Sequence, residues 1–275
     1  MSDIVKKDSM NPIEKFKGDL VKRESDYADA MAGNAELAAK FRCAALNAAI
    51  ANPKLLECDP ASLFLALRNC AQLGLEPDPN LGRVYLIPRW NKKLNRNICQ
   101  AQIGYRGFIE LAGRTNKFSA CEAQVVREGD SFDYEFGTNG FCRHRPKHDL
   151  KAKYTHVWAV ARMMKNEQPI FDVMTIAEVE AVRDKFSESA KSGFSPWTNH
   201  FESMAKKTVI RRMLKLIPIS TELSKAITID ESAEIREPEE ATGAPEVLRN
   251  ALAAKNLPEP TDDALAFDEA HLPKE

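Results

Sequence analysis

No run of about 18 apolar residues occurs anywhere in this chain of 275 residues, so a membrane-spanning helix is not expected. The amino terminus, MSDIVKKDSMNPIEKFK, carries mixed charge with no hydrophobic stretch behind it; a secretory signal is not expected and the chain reads as cytoplasmic. The pattern GxxxxGK followed by Ser or Thr is missing, which leaves no amide cradle and lysine for a nucleoside triphosphate. No GxGxxG follows a strand-like run either. Six cysteines, Cys43, Cys58, Cys70, Cys99, Cys121 and Cys142, never form CxxC and sit mostly among apolar neighbours, as reduced core thiols do. Cys142, His144 and His148 have ligand-like side chains, but Arg143, Arg145 and Lys147 beside them oppose a cation. No metal or other cofactor is expected.

What is present is unevenly charged. From Asp230 to Glu275 there are 13 acidic and 4 basic residues, leaving 35 basic against 27 acidic in the first 229. A near-neutral total thus conceals a basic body and an acidic tail. The tail holds five prolines and one aromatic, Phe267, too little apolar density to offset the entropy of ordering a core. It is expected to be mostly disordered, with a transient helix over 247–257 and an apolar patch over 264–272 where a partner could dock.

The body reads as α+β, with packed helices around an antiparallel sheet and a β-hairpin. Helical periods run over 11–32, 35–51 and 60–73, the last with Asp59 as cap, Pro60 in the first turn and Gly74 at the exit. Apolar, β-prone runs at 83–89 and 98–104 flank the polar connection WNKKLNRN. A helix follows over 105–115, then strands near 119–128 and 131–136, a loop to Leu150, and strands near 154–164 and 169–174. Thr175 and Glu178 form a capping box for a helix to Phe186. Three regions result: 1–59, 60–229 and 230–275, the first two packing as one body.

The segment PWTNHFESMAKKTVIRRMLKLIPIS (196–220) reads as one continuous helix, capped by Ser195 and stopped by Pro218. At about 100° per residue, Phe201, Ala205, Val209, Met213, Leu216 and Ile217 share one side, while His200, Lys207, Arg211 and Lys215 share the other. Such a helix can sit in a core and still present cations to a run of phosphates, or that side can simply be a solvated face. The hairpin connection adds Arg89, Trp90, Lys92, Lys93 and Arg96, and the next turn adds Tyr105, Arg106 and Arg114. Cations interleaved with aromatics suit a single-stranded nucleic acid, whose backbone needs charge and whose bases offer ring faces. Chemistry is less well supported. Glu128, Asp130, Asp133 and Glu135 in REGDSFDYE could hold Mg²⁺ for a nuclease, but Gly129 and Asp130 mark a turn. His156, between Tyr154 and Trp158, reads as a strand histidine.

Five blocks then resemble the RecT family of phage and prophage single-strand annealing proteins. They are CAQLGLEPDPNLGRVYLIP (70–88), QIGYRGFIELAGR (102–114), VVREGDSFDYEFG (125–137), THVWAVARM (155–163) and the 196–220 segment, in the family's order. The resemblance implies an ATP-independent recombinase and no bond-making enzyme. It would coat single-stranded DNA, anneal complementary strands into a duplex intermediate and assemble as a ring or helical filament. A 5′-to-3′ exonuclease is the implied partner; a host single-strand-binding protein is a second, reached through the acidic tail. The amino-terminal helices are the candidates for self-assembly. By the same resemblance Lys206, Lys207, Arg211 and Arg212 match an AKK-x3-RR pattern and form one wall of a basic DNA groove, with Lys207 and Arg211 foremost. Lys206 and Arg212 project into the apolar arc, so their stems pass the core toward DNA or they pair internally with carboxylates. The GYRG block allows close chain approach, with Arg106 placed to meet a phosphate.

Overall fold

A computed structural model describes residues 11–115, 117–164, 169–186, 195–217 and 219–234. Helix α1 (Pro12–Lys22) starts where the Asn11 side chain accepts the Ile13 amide at 3.0 Å, and Pro12 suits its first turn. The predicted long first helix is two helices. It breaks at Arg23, whose guanidinium lies 4.0 Å over the Phe64 ring, before α2 (Glu24–Ala30) begins. Asn34 caps α3 (Ala35–Ala51), a 3₁₀ turn covers Pro53–Glu57, and Asp59 caps α4 (Pro60–Gln72) by accepting the Ser62 amide at 3.0 Å. Gly74 then leaves the helix at φ +58°, a conformation other residues adopt at a cost.

Strands β1 (Val84–Asn91) and β2 (Arg96–Ile103) pair antiparallel, with Tyr85 opposite Gln102 and Trp90 opposite Asn97. The strands run into the expected connection, so only Lys92 to Asn95 turn. There Asn91 accepts the Leu94 amide and Asn95 takes φ +49°. The hairpin's base is tied to α4: the Cys99 amide donates to Ser62 Oγ at 2.9 Å and the Asp59 amide to the Asn97 carbonyl at 2.8 Å.

Helix α5 (Tyr105–Arg114) leads into β3 (Phe118–Arg127), which pairs with β6 (Tyr154–Met163). That strand pairs in turn with β7 (Ile170–Thr175), giving an antiparallel sheet with β6 central. The expected loop after residue 136 contains a further strand. β5 (Phe141–Arg145) pairs with β4 (Ser131–Glu135) in a second hairpin that alternates exposed and half-buried side chains. The capping box is present at the start of α6 (Ile176–Phe186): Glu178 accepts the Thr175 amide at 2.8 Å, and Thr175 Oγ1 accepts the Glu178 amide at 3.2 Å. The observed class is α+β, as expected.

The 196–220 segment is not one helix. Ser195 caps a single turn, α7 (Pro196–Asn199), the chain departs from helix at His200 (φ −137°, ψ 41°), and α8 (Phe201–Leu214) follows. The break seats Trp197 in the core beside Phe201, which stacks on Tyr154 at 5.5 Å. Pro218, expected as the stop, lies outside the described residues. Helix α8 packs across β3, β6 and β7 with α5 on another side, so Ala205, Val209, Ile210, Met213 and Leu214 are all buried while Leu216 is exposed. Helix α9 (Thr221–Glu234) is an element beyond those expected. Ser220 receives the Leu223 amide at its start, and Leu223, Ala226, Ile227 and Ala233 bury one face against β2 and α5. It carries ordered chain past the expected boundary at residue 230. The remaining expectations for the acidic tail, including 247–257 and 264–272, lie outside the described residues.

Candidate nucleic-acid interface

A cleft of about 490 Å³ opens between the β1–β2 hairpin, the end of α3 and the α7–α8 break. Tyr85, Gln102 and Tyr105 line one side, Asn52 and His200 another, and Lys207 lies within it. Two glycines let the backbone close up around it. A Cβ on Gly104 would lie 2.3 Å from the Gly82 carbonyl oxygen, and one on Gly107 the same distance from that of Arg83. The close approach expected of GYRG is thus a fact of the fold.

Lys207 and Arg211 do not form a solvent face. Lys207 is 3% exposed and Arg211 8%, and both pair with Asp230, which is fully buried. Lys207 Nζ is 2.7 Å from Asp230 Oδ1, and Arg211 donates to Oδ2 at 2.8 Å. Oδ1 also accepts the Ile103 amide at 3.0 Å, so one carboxylate joins α8, α9 and the end of β2. The expected basic stripe is the seam where α9 docks. The helical wheel rightly puts the two cations together, but the surface they share is covered.

The other cations divide into two groups. Arg212 takes the internal alternative. Its guanidinium donates to both Asp172 oxygens at 2.6 and 2.7 Å and to the Val173 carbonyl at 2.7 Å, fastening α8 to β7. Lys206 pairs with Glu202 at 2.7 Å and Lys215 with Glu231. Arg114 donates to the Leu73 and Gly74 carbonyls at 2.7 and 2.8 Å, closing the end of α4, and pairs with Glu110. Arg96 pairs with the capping Asp59 at 2.9 Å. Apart from Lys206, whose partner lies one turn back on α8, these side chains hold elements together, and the charges of all are largely compensated.

The hairpin tip and the start of α5 place cations beside aromatic rings. Lys92 and Lys93 are exposed at the turn, Arg89 is half-buried on β1, and Trp90 is 57% exposed beside them. Arg106 is exposed, with its guanidinium at the Tyr105 hydroxyl, 3.3 Å away, and its stem against Gly82. This is the mixture of cation and aromatic that a flexible polyanion with ring-bearing bases engages.

The carboxylate cluster is a turn. Gly129 takes φ +89°, and Asp130 accepts the Arg127 amide at 2.9 Å, the Lys147 amide at 2.7 Å and His144 Nε2 at 3.0 Å. Burial pushes the Asp130 carboxyl up, but these three donors together outweigh it and bring it down to about 2. His144 Nδ1 in turn accepts the Trp158 indole N–H at 3.1 Å, which fixes its tautomer and locks the second hairpin onto β6. Asp133 and Glu135 point to solvent along β4. Among the described residues no group of three or more His, Cys, Asp or Glu is placed to hold a metal ion, and none of the six cysteines is in a disulfide. No described helix is long and apolar enough to cross a membrane.

Comparison with known proteins adds what geometry alone does not. The family model described as RecT family matches residues 39–243, from within α3 past the end of α9. The chain is 45% identical over 181 residues to Protein RecT of Escherichia coli K12, covering 65% of this chain and 66% of that protein. It is 29% identical over 191 residues to the uncharacterized protein YqaK of Bacillus subtilis 168, covering 69% and 63% respectively. The matched stretch spans just under two thirds of each relative's own length.

Proposed function

The chain belongs to the RecT family, and from that membership we propose that it binds single-stranded DNA and anneals complementary strands in phage-type homologous recombination. The family match carries this reading, because it encloses the cationic hairpin, the cleft and α8 within one matched stretch, residues 39–243. The surface supports it. Lys92, Lys93, Arg89 and Arg106 neutralise phosphates, while Trp90 and Tyr105 contact bases without selecting sequence. Lys207 and Arg211, with Lys206, Arg212, Arg114, Lys215 and Arg96, shape the wall on which the strand lies.

The mechanism needs no covalent step. Two strands repel as polyanions; laying one against fixed cations lowers the repulsion and leaves its bases available for pairing, so base pairing itself tests complementarity. The process runs without ATP. One protomer covers few nucleotides, so duplex of useful length requires neighbours side by side, and head-to-tail contacts produce rings or helical filaments. The helices before residue 60 supply those contacts, and the acidic residues after α9 serve partner proteins, a 5′-to-3′ exonuclease or a host single-strand-binding protein. The setting is the cytoplasm.

The test mixes complementary labelled strands with the protein, without nucleotide, against a no-protein control and a mismatched pair. Acceleration confined to the complementary pair is expected. Equal rates with and without protein overturn annealing, and shortened strands would restore the nuclease reading.

A further inference from the structure

We propose that the cleft beside the β1–β2 hairpin receives one unstacked nucleobase of the bound strand, with the Gln102 amide meeting its hydrogen-bonding edge and Tyr85 and Tyr105 its ring. This rests on the reading of the chain as a single-strand binder and adds to it a discrete base site.

Three observations carry the assignment. First, Tyr85 and Gln102 are direct cross-strand partners, so their side chains rise from the same face of the hairpin, and both line the cleft. Second, Gln102 is only 8% exposed and its side chain borders the cleft. Gln100, one pleat along the same face, has a buried Oε1 with no partner among the described residues. A buried amide oxygen left unpaired is costly, so this face of the hairpin calls for a further polar partner. Third, the charges are arranged to keep phosphate out. Lys207, the cation within the cleft, is committed to Asp230, whereas Arg106 stands outside against Gly82 with its guanidinium exposed. A neutral planar group fits inside and its phosphate fits at the mouth.

Shape and chemistry agree. The volume, about 490 Å³, lies in the range of ligand pockets, and Leu86, Pro77, Pro79, Pro196 and Met204 supply apolar walls for a ring. A glutamine amide presents one donor beside one acceptor. Every nucleobase presents an adjacent donor and acceptor on its pairing edge, in one order or the other, and a half-turn of the amide matches either order. Gln102 therefore holds any base, as a protein that must accept every sequence requires.

The experiment uses the full chain and oligothymidylate strands carrying a single 2-aminopurine. Anisotropy reports binding, and acrylamide quenching of the 2-aminopurine emission reports enclosure of the base. Wild-type protein is expected to bind and to protect a distinct fraction of the emission. Gln102→Leu, close in size, and Tyr85→Ala, at a partly exposed position, are each expected to abolish that fraction and weaken binding about five- to tenfold. Circular-dichroism melts confirm that both variants fold. Binding with uniform quenching, or protection that survives both substitutions, overturns the base site while leaving single-strand binding intact. Failure of the wild-type protein to bind overturns the underlying reading and the base site with it.

Discussion

Asp230 lies 2.7 Å from Lys207 across the seam between α9 and α8, and neither side chain reaches appreciable solvent. The pair converts a stripe that looks like a ligand surface into a structural joint. Removing the carboxylate leaves Lys207 and Arg211 as buried cations without it, and Asp230→Ala is expected to cost about 3–5 kcal/mol in stability. Urea denaturation measures this; a cost below about 1 kcal/mol would contradict a buried joint. A chain ending at Ile229 should melt at lower temperature, and restoring residues up to Glu234 should recover the loss.

The cations of the hairpin tip and Arg106 are expected to act on DNA. Replacing Lys92, Lys93 and Arg106 with glutamine should weaken single-strand binding equally across sequences. The slope of log affinity against log salt should become shallower by about 0.7 for each phosphate no longer neutralised. A salt titration by anisotropy checks it, and an unchanged slope places the phosphate path elsewhere.

Two glycines of α5 make a matched pair. Gly113 has nothing within 4 Å of where a Cβ would stand, so Gly113→Ala should stabilise the helix by about 0.5–1 kcal/mol. Gly107 has the Arg83 carbonyl oxygen 2.3 Å from that point, so Gly107→Ala should destabilise by about 1–3 kcal/mol despite the same gain in propensity. Thermal melts of the two variants should move in opposite directions.

Acid stability should depend on Asp130. Its folded pKa, about 2, lies below the ordinary 3.8. A depressed carboxyl stabilises the fold fully above its unfolded pKa, so the contribution is complete above about pH 4 and fades as pH falls toward 2. Asp130→Asn should lower stability at neutral pH and flatten its dependence across that window. Denaturation curves at about pH 6 and about pH 3 would reveal it, and equal pH dependence in both proteins would count against the assignment.

Elements whose signals are local are legible in the sequence. Asp59, Pro60 and Gly74 bracket α4, Thr175 and Glu178 mark α6, and the WNKKLNRN connection locates the hairpin, because caps and turns are decided within a few residues. The breaks at Arg23 and His200 are not legible, since periodicity continues through both while tertiary packing of Phe64 and Trp197 redirects the chain. The expected exposure of Lys207 and Arg211 fails for a related reason. A helical wheel shows which residues share a face but not what covers it, and the covering acid is 19 residues beyond Arg211. Helix α9 does leave a trace, with Leu223, Ala226, Ile227 and Ala233 at helical spacing behind Ser220. An acidic composition starting at Asp230 masks it. Of the expected site, the cation and aromatic surface at the hairpin and Tyr105–Arg106 is readable, whereas the Gln102 cleft depends on cross-strand register that no single segment encodes.

The hydrogen bond from the Ile103 amide to Asp230 closes a loop of 127 residues. Protein synthesis is vectorial, so the hairpin emerges long before the acid that completes its end. At a translation rate of about 5–20 residues per second, that interval is on the order of ten seconds. At its end, Lys207 and Arg211 leave the ribosome about 1–5 seconds ahead of the carboxylate that later buries them, and until then the central helix cannot settle into its final seat. The body therefore matures late, when its last helix arrives, and a nascent chain halted before Asp230 stays available to chaperones and proteases while the hairpin is already made.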